Sequence, residues 1–255
     1  MKLSCYLIVQ DEAKRLARTL EAAKQVADEI VIVDSGSTDG TLDIARRYTD
    51  KVIHHDWVSY AHQKNFAQDQ CANDWVLSLD GDEVLSDALI AEINAIKKTG
   101  AAYPAYNMRI ADVLPGRTKP RPWAKTYNII RLYHRAHATM HADLLTEDRI
   151  TMTQEAPVGQ LAAPCHHYSY VKLSQSIAKL NKYTDDNVET AVKKKRYSTL
   201  RLFTEFPYQF VRYYFLRGYF LDGLFGLYLG VNVAFFRWVK IAKVIEAQRM
   251  NDAQN

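Results

Sequence analysis

Four short strand-like runs govern how this chain can fold. Leu3 to Val9, Glu29 to Val33 and Trp75 to Leu79 have the length and composition of buried strands, and Lys51 to His54 gives a further strand between them. Helical spacing fills the gaps between them. Leu16, Leu20 and Ala23 share one face of the stretch Glu12 to Ala27. Thr41 to Tyr48, His62 to Cys71 and Ser86 to Lys98 also read as helices, with Ser86 as N-cap. Strands that alternate with helices run parallel, because each crossover returns the chain to the same edge of the sheet. The pattern therefore predicts an α/β fold, with a mostly parallel sheet between helices.

The remainder is less regular. Pro104, Pro115, Gly116, Pro120 and Pro122 predict an irregular excursion over 103–123. Tyr127 to Tyr133 and Val158 to Ala162 read as further strands, and Lys172 to Thr190 as a polar amphipathic helix. The basic run Lys193 to Arg196 follows. A length of 255 residues suits one large α/β domain, placed at 1–198, with a helical extension at 199–255. Three widely spaced cysteines, Cys5, Cys71 and Cys165, form no C-x-x-C pair. They argue against a disulfide framework or structural zinc and favour a reducing compartment. The apolar run at the N-terminus is too short for a signal peptide and reads as the first strand, so a cytoplasmic location is expected. A net charge of +4 suits an anionic ligand or membrane surface better than it argues for nucleic acid.

Chemistry concentrates at the strand ends. In open α/β sheets ligands bind beyond the carboxyl ends of the strands. Three polar clusters stand there: Gln10-Asp11-Glu12, Asp34 to Gly40, and Asp80-Gly81-Asp82-Glu83. Two carboxylates one residue apart at a strand end can reach a shared hard cation, which bridges readily to phosphates. The small residues after Asp34 can cradle phosphate through backbone N–H groups. Neither the dinucleotide nor the P-loop glycine pattern is present.

Val31-Ile-Val-Asp-Ser-Gly-Ser-Thr-Asp-Gly-Thr41, followed some forty residues on by Leu77-Ser-Leu-Asp-Gly-Asp-Glu83, resembles family 2 glycosyltransferases of the GT-A fold. Arg131-Leu-Tyr, His167-Tyr-Ser-Tyr170 and Phe220-Leu-Asp-Gly223 are similar to the subgroup that adds glucose to the inner core of bacterial lipopolysaccharide. The resemblance implies an inverting, metal-dependent transfer from a UDP-sugar, UDP-glucose foremost, to a lipid-anchored saccharide.

Site residues follow from the same resemblance. Asp34 would contact the nucleoside, with Gln10 and Ser35 beside it; many members carry a second acid where this chain has Ser35. Asp80 would face the ribose or the metal, and Asp82 would bind Mg²⁺ or Mn²⁺. Asn65 matches a position that lines the donor site, and a helix-surface amide is its other reading. Arg131 suits the diphosphate, since a guanidinium matches paired oxygens. His167 either completes the metal site or is structural. An inverting transfer needs a base for the acceptor hydroxyl. Glu147-Asp148 matches the family's acidic pair, with Asp148 as base and Glu147 or Asp143 as alternatives.

From Leu200 to Ile245 aromatic and aliphatic residues mix with Arg201, Arg212, Arg217, Arg237, Lys240 and Lys243. The longest uncharged run, Gly223 to Phe236, is short of the roughly 20 residues needed to cross a bilayer. An interfacial amphipathic helix on the inner face of the cytoplasmic membrane is expected, with a packing or homodimer element as the alternative. No nucleic-acid partner is expected, because acids line the binding edge. A non-catalytic nucleotide-sugar-binding scaffold would have no need of Asp82 and a base together.

Overall fold

The computed structural model describes residues 1–122, 124, 126–140, 149–169 and 197–254, with single positions 177, 180, 184, 188 and 192 between the last two blocks. The chain divides into two compact units, Met1–Ser169 and Tyr170–Asn255. The sequence pattern placed its division at 198/199.

In the first unit the four expected strands form as β1 (Leu3–Val9), β2 (Glu29–Asp34), β3 (Val52–His54) and β4 (Trp75–Asp80). They lie in the order β3-β2-β1-β4, all parallel. Their crossovers are α1 (Leu16–Ala23), α2 (Thr41–Ala45) and α3 (Tyr60–Asp69). β5 (Glu83–Leu85) and α4 (Asp87–Thr99) follow. Ser59 and Ser86 cap α3 and α4, accepting from His62 N at 3.2 Å and Leu89 N at 3.3 Å.

The second half of the sheet is mixed. β6 (Ala105–Asp112), β7 (Thr126–His134) and β10 (Gly159–His167) extend the order to β4-β7-β6-β10-β5. β7 runs antiparallel to both β4 and β6, whereas β6 and β10 are parallel. β8 (Ala138–Met140) and β9 (Ile150–Met152) make a separate ribbon. The irregular excursion expected over 103–123 instead contains the eight-residue β6. The prolines flank this strand and do not interrupt it: Pro104 precedes it and Pro115 follows it. Between them Tyr106, Met108 and Ile110 are buried, as period-two alternation demands.

Alternation also sorts the core onto the two sheet faces. Cys5, Leu7 and Val9 of β1 pack with Leu16 and Leu20 of α1 and Leu89 and Ile93 of α4. Tyr6 points the other way, among Val31, Val33, Ala61, Ala67 and Tyr133. On that face Tyr6 and Tyr133 hydroxyls lie 2.6 Å apart, and the Tyr133 hydroxyl donates to Gln68 Oε1 at 2.6 Å. The chain buries these three polar side chains because each satisfies another. Cys5, Cys71 and Cys165 are all buried and unpaired.

The second unit contains α5 (Leu200–Val211), a π-helical turn (Arg212–Leu216), a 3₁₀ turn (Tyr219–Asp222) and α6 (Gly223–Gln254). Gly218, at φ 67°, reverses the chain between the two turns. Most of the amphipathic helix expected over 172–190 and all of the basic run 193–196 lie outside the described residues.

Tyr133→Phe removes the hydroxyl that joins Tyr6 to Gln68 and strands both buried partners. Unfolding in urea should show a loss of about 1–3 kcal/mol with an unchanged m-value. An unaltered midpoint would mean that the three groups are satisfied in some other way.

Candidate functional site

The carboxyl ends of β1, β2 and β4 bring the three polar clusters to one edge. The loops after β1 and β2 are stitched together by reciprocal hydrogen bonds. Asp11 adopts φ 53°, a left-handed conformation that Asp tolerates better than most residues. In it, Oδ1 accepts from Thr38 N at 2.8 Å, while Asp11 N donates to Ser37 Oγ at 2.9 Å. Glu12 N donates to Thr41 Oγ1 at 2.7 Å. Gln10 reaches Ser35 O at 3.4 Å.

Asp34 closes β2 and is buried. Its Oδ2 accepts from Gly36 N at 2.9 Å and Ser37 N at 3.0 Å, so the carboxylate shapes its own loop. Gly36 has φ 92°, which a side chain would strain. Ser35 Oγ accepts from Gln63 Nε2 at 2.6 Å, and Gln63 also binds the His55 backbone oxygen at 2.8 Å. Asn65 reaches across to the β8 ribbon. Its Nδ2 donates to Met140 O at 2.8 Å, and its Oδ1 accepts from Met140 N at 3.3 Å.

At the end of β4, Asp80 sits between two cations. Lys64 Nζ from α3 lies 2.8 Å from Oδ1, and Arg131 Nη2 from β7 lies 2.7 Å from Oδ2. Arg131, 1% exposed, also pairs with Glu83 Oε1 at 2.7 Å. Glu83 Oε2 accepts from Asp80 N at 3.1 Å. Burial works to raise the Asp80 pKa, but Arg131 and Lys64 outweigh it and hold the carboxyl far below the usual range. Burial pushes Glu83 up, and the Asp80 charge adds to that push against the pull of Arg131.

Asp82 lies two residues on and faces a different set. Arg15 Nη1 approaches Oδ2 at 3.2 Å, and His167 Nε2 approaches Oδ1 at 3.5 Å. Arg15 is itself fixed by Glu12, with Nε donating to Oε2 at 2.7 Å, and by the Tyr168 oxygen at 3.2 Å. The other nitrogen of His167, Nδ1, lies 3.0 Å from Asp112 Oδ1 at the end of β6. Burial opposes charge on this imidazole, but the two facing carboxylates push its pKa up to about 10. Gly81, between the two acids, lies against Glu12: a Cβ there would stand 3.0 Å from Glu12 Cγ. Its carbonyl accepts from Thr19 Oγ1 at 2.9 Å.

Asp34, Ser35, Asp80, Asp82, Arg131 and His167 are thus all placed at or directly beneath the carboxyl edge. Asn65 is turned toward the ribbon, and Arg131 lies beneath Asp80 as its counterion. Asp143, Glu147 and Asp148 lie outside the described residues. Four contributors escaped the sequence reading: Arg15, Gln63, Lys64 and Asp112. Asp112 had a usable signal, an apolar alternation ending in an acid, which was masked by the prolines on either side.

Asp82 and His167 are two donors of the kind a divalent cation takes, although among the described residues no group of three or more His, Cys, Asp or Glu gathers around one. A carboxylate oxygen and an imidazole nitrogen face each other across 3.5 Å, a gap that two metal–ligand bonds of about 2.1 Å can bridge. A carboxylate behind the other ring nitrogen is the arrangement that orients metal-binding histidines. Asp82 and His167 would hold such a cation, which when bound neutralises phosphate charge.

The sequence model described as "Glycosyl transferase family 2" matches residues 4–145, more than half of the chain. An uncharacterized glycosyltransferase of Rickettsia typhi is 34% identical, over 96% of this chain and 87% of its own length. The lipopolysaccharide core biosynthesis glycosyltransferase LpsC of Rhizobium meliloti is 28% identical, over 100% of this chain and 96% of its own. Among solved structures, residues 1–349 of S. aureus TarS superpose with a TM-score of 0.47 at 14% identity, over 100% of this chain and 92% of that one. The fold is GT-A, and the chain belongs to glycosyl transferase family 2.

Proposed function

We propose that this glycosyltransferase moves a hexose, glucose from UDP-glucose, with inversion onto the inner core of lipopolysaccharide. The observation that carries the donor half is the pair Asp82 and His167, facing each other at the strand edge with Asp112 behind the imidazole. A nucleoside diphosphate brings two negative phosphates that need a cation, and this pair offers hard and borderline ligands for Mg²⁺ or Mn²⁺. The acceptor half is supported by the full-length similarity to LpsC.

Each residue then has a defined task. The stitched loops after β1 and β2 present Gln10, Asp34 and Ser35 to the nucleoside. Asp80, kept ionised by Lys64 and Arg131, offers acceptor oxygens to the ribose side. Asn65 holds the ribbon that flanks the site. Arg131 contributes positive charge below the diphosphate. Asp148, supported by Glu147, takes the proton of the acceptor hydroxyl as that oxygen attacks the anomeric carbon; UDP leaves with the bonding electrons. A lipid-anchored acceptor explains an apolar, basic C-terminal segment, which would keep the enzyme at the inner face of the cytoplasmic membrane.

The reading is tested by turnover with a panel of UDP-sugars and truncated core oligosaccharides, read by mass spectrometry. A hexose mass increment on the core acceptor with UDP-glucose is the expected result. Transfer only to a polyprenyl-linked glycan or a protein would replace the acceptor.

Asp82→Asn should retain the fold, because an isosteric amide fits the strand end, yet lose metal-dependent turnover. Near-wild-type rates at saturating Mn²⁺ would remove Asp82 from the metal site. Asp112→Asn should weaken Mn²⁺ binding in the presence of UDP by about 10–100-fold, since the imidazole loses the partner that orients it. Paramagnetic titration checks this without any turnover, and an unchanged affinity would make Asp112 a bystander. Asp148→Asn should lower kcat by ~10²–10⁴ while UDP-glucose binding, measured calorimetrically, stays intact. The same loss in Glu147→Gln or Asp143→Asn, with Asp148→Asn active, would reassign the base.

A further inference from the structure

In the second unit, the ordinary rule for a helix in water is reversed over half its length and obeyed over the rest. α5 turns Leu200, Phe203, Pro207 and Val211 outward, at spacings of three and four residues; Leu200 is 70% exposed and Phe203 75%. Its two fully buried side chains are polar, although Leu202, Phe206 and Phe210 are half-buried beside them. Glu205 and Gln209 are buried, and Gln209 Nε2 donates to Glu205 Oε1 at 2.7 Å. The first half of α6 repeats the outward apolar face. Leu224, Leu227, Val231 and Phe235 are exposed, while Asn232 is buried beside Leu229 and Ala234. From Phe236 the helix conforms as far as Glu246, beyond which Gln248 is buried and Met250 exposed. Phe236, Ile241, Val244 and Ile245 are buried, and Arg237, Glu246 and Arg249 face outward.

The two helices pack antiparallel. Trp238 Nε1 donates to Leu202 O at 2.9 Å, and Gly230 lies against Phe210 and Tyr214. The reversed halves therefore sit side by side, joined by a turn that exposes Phe215, Leu216, Phe220 and Leu221. Polar groups inside and aliphatic groups outside is the arrangement expected where the surroundings are less polar than the protein.

We propose that the hairpin formed by residues 200–236 is immersed in one leaflet of an anionic membrane, lying in its interfacial zone without crossing it. The uncharged length argues against a crossing. The uncharged stretch of α6, Gly223 to Phe236, spans about 21 Å at 1.5 Å per residue, against a hydrocarbon core of about 30 Å. By length and mean hydropathy alone, Tyr219–Asp252 would pass as a span. Its second half, however, returns to the pattern of a helix in water. Charge placement sets the orientation. Arg212, Arg217 and Asp222 stand at the turn, and Arg201, Arg237 and Lys240 stand at the opposite end. A hairpin standing upright would drive the first group into hydrocarbon. One lying flat keeps both groups at headgroup depth. Lipid is favoured over a second copy because positions 199–255 hold seven basic and four acidic side chains. That balance attracts an anionic surface and sets two copies against each other. The purpose of this surface rests on the proposed lipid-anchored acceptor, but its test does not.

Nitroxide labels on Leu227→Cys, Val231→Cys and Glu246→Cys report depth by collision with oxygen and with a water-soluble nickel chelate; the three native cysteines are buried. With vesicles of equimolar phosphatidylcholine and phosphatidylglycerol, the labels at 227 and 231 should pass from chelate-accessible to oxygen-accessible. The label at 246 should remain in water. The double variant Leu227→Asp, Val231→Asp should bind these vesicles at least about tenfold more weakly, since each charge replaces a buried apolar side chain. Both sites are exposed, so its circular dichroism should match wild type. Labels that stay in water on vesicles, or a label at Phe220→Cys reached by a chelate trapped in the lumen, would overturn the proposal. So would a wild-type dimer, dissolved by the two aspartates, that ignores vesicles. Asp82→Asn should bind vesicles like wild type, and the double variant should still act on a water-soluble acceptor. The lipid surface and the transfer chemistry can therefore fail separately.

Discussion

A guanidinium closed off from solvent has to be answered by negative charge, and at Arg131 the answer shapes the polar edge of the sheet. One nitrogen of its fork meets both Asp80 and Glu83, and Lys64 meets Asp80 from the opposite side. Removing one member of such a cluster leaves a buried charge uncompensated, at about 3–5 kcal/mol. Four elements are tied by it: α3, the strand β4, the short β5 that carries Glu83, and β7, which runs antiparallel to β4. The seam between the parallel and mixed halves of the sheet is thus an electrostatic joint. It fixes where β4 ends, and so where Asp82 begins.

That joint separates two neighbouring acids into two environments. Asp80 faces permanent cations and stays ionised. Asp82 faces Arg15 and an imidazole that itself stands between two carboxylates. The imidazole answers both of its carboxylates at once, Asp82 through Nε2 and Asp112 through Nδ1.

Much of this was legible in the sequence, for identifiable reasons. β1, β2 and β4 are buried on both faces, so they read as continuous apolar runs, and their acidic ends mark the binding edge. β6 was not legible, because its flanking prolines look like loop punctuation while its interior alternates. Losing β6 meant losing Asp112. Arg15, Gln63 and Lys64 were hidden for another reason. They sit on helical or pre-helical stretches where a polar residue ordinarily means solvent, yet Gln63 and Lys64 are almost wholly buried. Only the sheet packed over α3 turns them inward. In the C-terminal segment, composition announced apolar and basic residues together. It did not announce that Glu205 and Asn232 would be among the side chains inside, since that depends on which faces of two helices meet.

Gly81 shows how closely shape and charge are joined here. The residue between the two acids lies against Glu12, Glu12 grips Arg15, and Arg15 rests on Asp82. A methyl group added at position 81 presses first on the Glu12 side chain, at its Cγ. The displacement then runs through the guanidinium to the oxygen that faces it. Free space at one position and field strength at the next are a single mechanical variable. The middle letter of the motif is set by a lever arm as much as by the need for a turn.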